Sequence, residues 1–226
     1  MFVKSKVLEK IPGVIHAFGT KEEPVAAPFR EKFQTCAPSW SQIHGIEVAH
    51  VIKEAQDCGN VDALYTEKIG VPIGVKTADC VPILLAEKSG KKIAAIHAGW
   101  KGTHGRILHH LWEKLAAEGE LAENWVAAIG PAIGPCCYEV GEDLQKDFLV
   151  KFKAMDPKKV SPRPKYLDLP SINEWELKKL GFGKVEVLRL CTRCSQSPRF
   201  HSYRRQKEEG NEGQVRQYSL ILREHT

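Results

Sequence analysis

The 226-residue sequence has no long apolar run. Nothing in it approaches the roughly 18 consecutive apolar residues that a membrane-crossing helix needs, so a membrane partner is not expected. The opening Met1-Phe2-Val3-Lys4-Ser5-Lys6 carries no apolar signal-peptide segment, which predicts a cytoplasmic protein. Charge of one sign is not concentrated either: 33 Lys and Arg oppose 28 Asp and Glu, a net +5. These charges are interspersed, apart from a basic-leaning final third. With no RNP-like aromatic motif and no zinc-finger spacing, nucleic acid is not the expected partner. The mild basic excess suits a small anionic substrate such as a phosphate or nucleotide. Internal repeats and low-complexity segments are absent. Seven cysteines is an odd count. That disfavours a pure disulfide framework and, in a reducing cytosol, points to a mixture of buried and chemical thiols.

The 42% hydrophobic content is that of a globular chain with a core, and the whole length, 1–226, reads as one domain. Residues 1–20 read as a strand pair and 21–38 as loop or short helix. Glu47 to Ile52 and Asp62 to Thr66 read as short strands. The clearest part runs from Val71 to Trp100, where Val71–Val75, Val81–Ala86 and Lys92–His97 are β-rich. Ser89-Gly90 between the last two predicts a hairpin, which would bring Cys80 beside His97. Thr103 is the expected N-cap of a helix whose apolar positions Ile107, Leu108, Leu111 and Leu115 recur at helical spacing up to Gly119. Trp125–Ile129 reads as a buried strand and 130–137 as a Gly/Pro-rich site loop. Val140 to Met155 and Pro170 to Leu180 read as helices, Val185–Leu190 and Val215–Leu222 as late strands. The pattern predicts a mixed α/β domain with more than one sheet or one large curved sheet.

Three segments carry chemistry: Gln42-Ile43-His44-Gly45, Thr77-Ala78-Asp79-Cys80 and Ile96-His97-Ala98-Gly99-Trp100. Two imidazoles and one thiolate suit zinc and leave a fourth position open for water or substrate. Alone, His44 reads equally as a backbone-bonded loop residue, Cys80 as a small buried hydrophobe and His97 as a satisfied core histidine. Asp79 either orients a ligating imidazole or starts the hairpin as an Asx turn. Trp100 could stack on a planar substrate, and the Lys101-Gly102-Thr103 turn could meet an anion or simply cap a helix. Cys136-Cys137 lacks the spacing of a chelating pair. Cys191-x-x-Cys194 has the spacing of half a zinc site or a redox pair, yet no second CxxC accompanies it. His104, His109 and His110 read as surface groups. Arg204-Arg205 could hold an anion bidentately.

The same segments, in chain order, resemble the polyphenol-oxidase-like (laccase-domain) family, also called the purine nucleoside phosphorylase or peptidoglycan editing factor family. The resemblance rests on Gln42-Ile43-His44-Gly45, Asp62-Ala63-Leu64, Thr77-Ala78-Asp79-Cys80-Val81-Pro82 and His97-Ala98-Gly99-Trp100-Lys101-Gly102-Thr103. It continues in Ile129-Gly130-Pro131, the run from Ile133 to Gly141, and Ser202-Tyr203-Arg204-Arg205. It implies a four-layer α/β/β/α fold similar to the catalytic domain of cytotoxic necrotizing factors, and zinc on His44, Cys80 and His97. It also implies phosphorolysis of adenosine, inosine, guanosine and methylthioadenosine, with adenosine deamination. Some members are described as copper polyphenol oxidases and others as amidases editing muropeptide precursors. Two positions depart from the family: Lys21 stands where an arginine often follows the first threonine, and Lys101 where arginine usually follows the tryptophan. Lysine keeps the charge but loses the planar fork.

For phosphorolysis, Lys21, Lys101 or Arg204 would neutralise phosphate, with Gln42 and Trp100 lining the substrate site. For deamination, Asp79 is the candidate proton carrier, although the H-x-E and P-C-x-x-C deaminase signature is missing. Copper is the weaker cofactor reading, because nine histidines include no His-x-His pair. A metal-free alternative makes Cys80 a nucleophile with His97 as its base. A non-enzymatic alternative is a structural zinc closed by a fourth ligand such as Cys136 or Cys137. The expected assembly is a monomer or homodimer.

Overall fold

Alternation along two central strands builds this protein in layers. The computed structural model describes residues 1–211 and 215–225. In chain order the regular elements are β1 (Val14–Phe18), α1 (Arg30–Thr35), β2 (Ser39–Ser41), β3 (Val48–His50), β4 (Asp57–Asn60), β5 (Ala63–Thr66), β6 (Ile73–Thr77), β7 (Val81–Glu87) and β8 (Ile93–Ala98). Next come α2 (Trp100–His104), α3 (Ile107–Ala117), β9 (Trp125–Ile129), α4 (Glu142–Lys151), α5 (Pro157–Val160), α6 (Leu169–Lys179), β10 (Lys184–Val187), α7 (Tyr203–Glu208) and β11 (Gln217–Arg223). A six-stranded sheet has the order β10-β9-β7-β8-β5-β3, a three-stranded sheet the order β1-β11-β6, and β2 pairs with β4.

Strand side chains alternate between faces. On β7 and β8, Val81, Ile83, Leu85, Ala94 and Ile96 join Ile107, Leu111, Phe148 and Ile172 in the core under the helices. Leu84, Ala86, Ile93 and Ala95 face the other way and pack against Ile73, Val75 and Ile221 of the small sheet. Burial on both faces explains why β7 and β8 read as continuous apolar runs rather than alternating ones. The outer face of the small sheet, with Ala17, Leu220 and Leu222, is covered by Ala26, Phe29 and Phe33. The layers are therefore helices, large sheet, small sheet and a short helical cover, a mixed α/β architecture with several sheets.

The hairpin forms as expected. Val81 pairs with Ala98 and Pro82 with His97, through to Ala86 with Ile93. Gly90 closes the turn at φ +74°, and a Cβ there would sit 2.1 Å from the Pro12 carbonyl oxygen, so both backbone shape and space require glycine.

Other expectations change. Residues 1–20 are not a strand pair: β1 pairs antiparallel with β11 from the far end of the chain, and Val3 contributes only an isolated bridge to Phe18. Thr103 is no N-cap. The helix begins directly after β8 with Gly99 as its cap, and Thr103 lies buried inside it, its hydroxyl accepting from Asn173 Nδ2 at 3.0 Å. A break at Arg106, whose φ is +63°, separates α2 from α3. The strands predicted at 71–75 and 185–190 are shifted or shortened to β6 and β10, and the helix predicted from Val140 contracts to α4, starting after Gly141.

Candidate active site

The ends of β6, β7 and β8 meet the loop after β2 around a cleft of about 1070 Å³. Asp62 organises it. This carboxylate, whose side chain has 0% exposure, accepts His97 Nδ1–H at 2.7 Å and the backbone N–H groups of Ile43, His44 and Gly45 at 3.2, 3.1 and 2.6 Å. Its own carbonyl oxygen accepts from His97 N–H at 2.7 Å. One side chain thus fixes the His97 tautomer and folds the loop that carries His44, which sits in the left-handed region at φ +59°. Burial pushes the Asp62 carboxyl up, but the His97 hydrogen bond and the loop N–H groups outweigh it and hold the group below the usual carboxylate range.

With Nδ1 committed to Asp62, His97 keeps Nε2 for Cys80. One ligating atom from each of His44, Cys80 and His97 lies within 4.8 Å of the others. The two imidazole rings meet edge-on, centroids 4.8 Å apart. Gly99 makes this approach possible: a Cβ there would lie 3.0 Å from Cys80 Sγ and 3.1 Å from His44 Cδ2. Burial pushes the Cys80 thiol up, yet the His97 charge and hydrogen bonds from both imidazoles bring it down to about 6. Burial pulls His97 down, but the Cys80 thiolate and Asp62 raise it to about 9. The two shifts run in opposite directions because each group stabilises the charged form of the other. Two nitrogens, one thiolate and a carboxylate-oriented histidine form a soft, three-point donor set that fits zinc. Among the described residues no fourth His, Cys, Asp or Glu joins it, and Cys136 and Cys137 lie in a separate cluster, so they do not close this site.

The cleft wall combines aromatic and cationic side chains: Trp100, Tyr138, Tyr203 and Tyr218 with Lys76, Arg204 and Arg216. Residues 24–224 match the family described as multi-copper polyphenol oxidoreductase laccase. The chain belongs to this family. It is 39% identical over 165 residues to a purine nucleoside phosphorylase of Deinococcus radiodurans, covering 73% of this chain and 63% of that protein. It is 32% identical over 175 residues to the purine nucleoside phosphorylase YfiH of Escherichia coli K12, covering 76% and 70%. The matched stretch therefore spans somewhat under, or only just over, two thirds of these relatives' own length. The crystal structure of YlmD from Geobacillus stearothermophilus has a TM-score of 0.77 at 25% identity over 99% of both chains. That of Neisseria meningitidis protein NMB0706 has a TM-score of 0.80 at 23% identity, covering 100% and 99%.

Within this laccase-like family fold, the predicted residues divide. Trp100 and Arg204 line the cleft. Arg204 donates to the Glu139 carbonyl at 3.0 Å, and its guanidinium lies 5.6 Å from the Tyr138 ring centre. Gln42 also lines it, but its amide is spent on β6: Oε1 accepts from Lys76 N–H at 2.8 Å and Nε2 donates to the Lys76 carbonyl at 2.9 Å. Asp79 touches neither imidazole. At φ +93° it turns β6 into β7, and its carboxylate accepts from the Thr192 hydroxyl at 2.6 Å and Arg204 N–H at 2.7 Å. It is a positioning residue for the Arg204 segment, not a histidine partner. Lys21 and Lys101 are not among the cleft-lining residues. Lys21 is exposed and tied by its backbone to Arg199, and Lys101 lies 5.6 Å from the Trp100 ring centre. Lys76 and Arg216, with Arg204, are the cationic side chains that line the cleft. Lys76 and Arg216 gave no sign in the sequence, and Asp62 showed only within the Asp62-Ala63-Leu64 motif, with no role attached to it. Asp62 lies one residue before β5, and the register of β5 on β8, Ala63 opposite Ile96, sets it across from His97.

Proposed function

We propose that this chain is a zinc-dependent purine nucleoside phosphorylase acting on adenosine, inosine, guanosine and methylthioadenosine, with adenosine deamination as a second activity of the same cleft. The observation that carries this reading is the meeting of the His44–Cys80–His97 donor set with a wall of aromatic rings and cations. The ring faces of Trp100 and Tyr203 offer stacking to a planar purine. Arg204, Arg216 and Lys76 hold phosphate and neutralise its charge. In phosphorolysis a phosphate oxygen forms a bond to ribose C1′ while the C1′–N bond to the base breaks. The electron pair leaves with the base, which takes up a proton. In deamination, water adds at purine C6 and ammonia leaves. His44, Cys80 and His97 would hold the zinc, which when bound supplies a fixed positive charge and Lewis acidity beside the reacting centre. Two imidazoles with one thiolate favour zinc over a multi-copper oxidase centre, which draws on many histidines.

One observation favours a second reading. The Asp62–His97–Cys80 chain also has the order of an activated cysteine nucleophile, so a cysteine-dependent amidase would use the same residues. The deciding experiment follows phosphate-dependent release of hypoxanthine from inosine together with zinc content, in wild type and Cys80→Ala. Near-stoichiometric zinc lost along with turnover supports the phosphorylase. No hypoxanthine release, together with amide hydrolysis that survives chelation yet vanishes in Cys80→Ala, supports the cysteine-dependent amidase.

A further inference from the structure

Six of the seven cysteines lie outside the triad, and the fold gathers four of them. Cys136 and Cys137 follow the Gly134-Pro135 turn, and Cys191 and Cys194 bracket a tight turn after β10. A parallel bridge between Ala132 and Cys191 holds the two loops together, closed by Ala132 N–H to the Leu190 carbonyl at 3.2 Å and Thr192 N–H to the Ala132 carbonyl at 3.0 Å. All four sulfur atoms lie within 4.8 Å of one another, and Cys136 Sγ is 3.6 Å from Cys194 Sγ. We propose that these four thiolates bind a second, structural zinc ion, separate from the His44–Cys80–His97 group.

The spacing suits it. Four sulfurs each about 2.3 Å from one ion at tetrahedral angles stand about 3.8 Å apart. An all-sulfur tetrahedron selects zinc or an iron–sulfur centre over harder cations, and four separate thiolates around one point match mononuclear zinc. Two of the four sulfurs already meet donors. Gly134 N–H donates to Cys191 Sγ at 3.3 Å, and Arg193 Nη1 donates to Cys137 Sγ at 3.7 Å, putting a cation beside a centre that would be dianionic when filled. Gly134 keeps the space: a Cβ there would lie 3.3 Å from Cys136 Sγ and 3.5 Å from Cys191 Cβ. Four thiols crowded at a partly exposed surface have little packing value, whereas a shared ion gives each a ligand.

The position gives the ion a structural task. Thr192, inside the CxxC turn, donates to Asp79, next to Cys80, and Arg205 donates to the Thr192 carbonyl at 2.8 Å. Tyr138 and Arg204 of the cleft wall stand one residue from Cys137 and Arg205 respectively. The cluster therefore clamps the loops that form the back of the active cleft, through Asp79 and Arg204.

The proposal does not depend on which reaction the cleft performs. Protein would be purified under reducing conditions with Zn²⁺ alone added and free ion removed, then assayed for metal by elemental analysis and native mass spectrometry. About two zinc ions per chain are expected, one for each group of ligands. Cys194→Ser and Cys136→Ser should each lower this to about one while leaving the triad's ion, and Cys80→Ser should lower it to about one by the other route. Should the cluster variants fail to fold, Cys80→Ser loaded with Co²⁺ still decides. The strong thiolate-to-cobalt charge transfer and visible bands of a tetrathiolate centre support the proposal, and their absence overturns it. A single zinc abolished by Cys80→Ser and untouched by Cys194→Ser overturns it too, as does a disulfide among the four cysteines in the reduced, zinc-treated protein.

Discussion

Replacing Asp62 by asparagine tests the organisation of the active cleft most directly. The change keeps volume and removes one acceptor oxygen and the charge. In the native protein Oδ1 accepts from His97 Nδ1–H and His44 N–H, and Oδ2 accepts from Ile43 and Gly45 N–H. An amide can serve only one of these pairs, and its NH₂ group must face two donors. Each unsatisfied buried donor costs about 1–3 kcal/mol, so the expected loss of stability is about 2–6 kcal/mol. If the NH₂ faces His97, the imidazole moves its proton to Nε2, the nitrogen that Cys80 and a metal need. If it faces the loop, the His44 backbone loosens. Either way, zinc affinity should fall about 10- to 100-fold, the usual effect of losing a carboxylate that orients a ligating histidine. The pH dependence follows the same logic. The Asp62 carboxyl is held below its ordinary 3.8 in the folded state, so its contribution is present above that pH and is lost as pH falls through the folded value. In the asparagine variant this acid-side loss should disappear. Zinc affinity is read by chelator competition and stability by thermal unfolding of the metal-free protein. A variant with zinc affinity within twofold of wild type and an unchanged Tm would refute the reasoning.

In metal-free protein, iodoacetamide alkylation of Cys80 should rise with pH to a plateau with its midpoint near 6, because the thiolate persists above that value; peptide mapping of the adduct measures it, and a midpoint at the free-thiol value of about 8.5 counts against the His97 pairing. Gly99→Ala places a methyl 3.0 Å from Cys80 Sγ and should lower zinc occupancy at the triad while far-ultraviolet circular dichroism stays native; full occupancy would show that the approach can relax. Arg204→Ala should raise KM for phosphate about tenfold or more with a smaller effect on kcat, since a hydrogen bond to a charged group is worth about 1.5–3 kcal/mol, and an unchanged KM removes Arg204 from phosphate binding. His16 is buried, accepts Ser5 N–H at 2.8 Å and is lowered by burial to about 4. The unfolded chain binds its proton from about pH 6.5 downward while the folded chain does not, so stability should fall between pH 6.5 and 4, a slope that His16→Phe should flatten in thermal melts.

Local signals in this chain were legible wherever one element carried the whole argument. The β7–β8 hairpin follows from two β-rich runs and a glycine at φ +74°, and α6 begins near its expected start because Asp168 accepts Ser171 N–H and Pro170 occupies the first turn. Long-range pairing left no mark. β1 and β11 join opposite ends of the chain, and each divides its apolar residues between two cores, so neither shows which partner it takes. Thr103 misled as a cap because its hydroxyl is needed inside the fold, by Asn173 on α6, and because Gly99 lets the helix start while the backbone still passes close to Cys80 and His44.

The site shows the same boundary between local and assembled information. His44, Cys80 and His97 stand out because soft ligands next to turns and strand ends are conspicuous one by one. Asp62 stands in a recognisable motif, but its task does not show there, since it depends on four donors from two other segments. The cysteine cluster is the sharper case. Cys136-Cys137 has the wrong spacing for chelation by itself and Cys191-x-x-Cys194 supplies only half a site. Two backbone hydrogen bonds, Ala132 to Leu190 and Thr192 to Ala132, change that by laying one loop against the other. The loop that carries Cys136 and Cys137 also carries Tyr138, and the Cys191–Cys194 turn is hydrogen-bonded through Thr192 to Asp79 and to Arg205, the neighbour of Arg204, so the fold joins the halves of the sulfur cluster and supports the cleft wall at the same place. A chain that loses the cluster's ion should therefore keep the hairpin and the triad but loosen Arg204, showing weaker phosphate binding before any loss of the His44–Cys80–His97 metal.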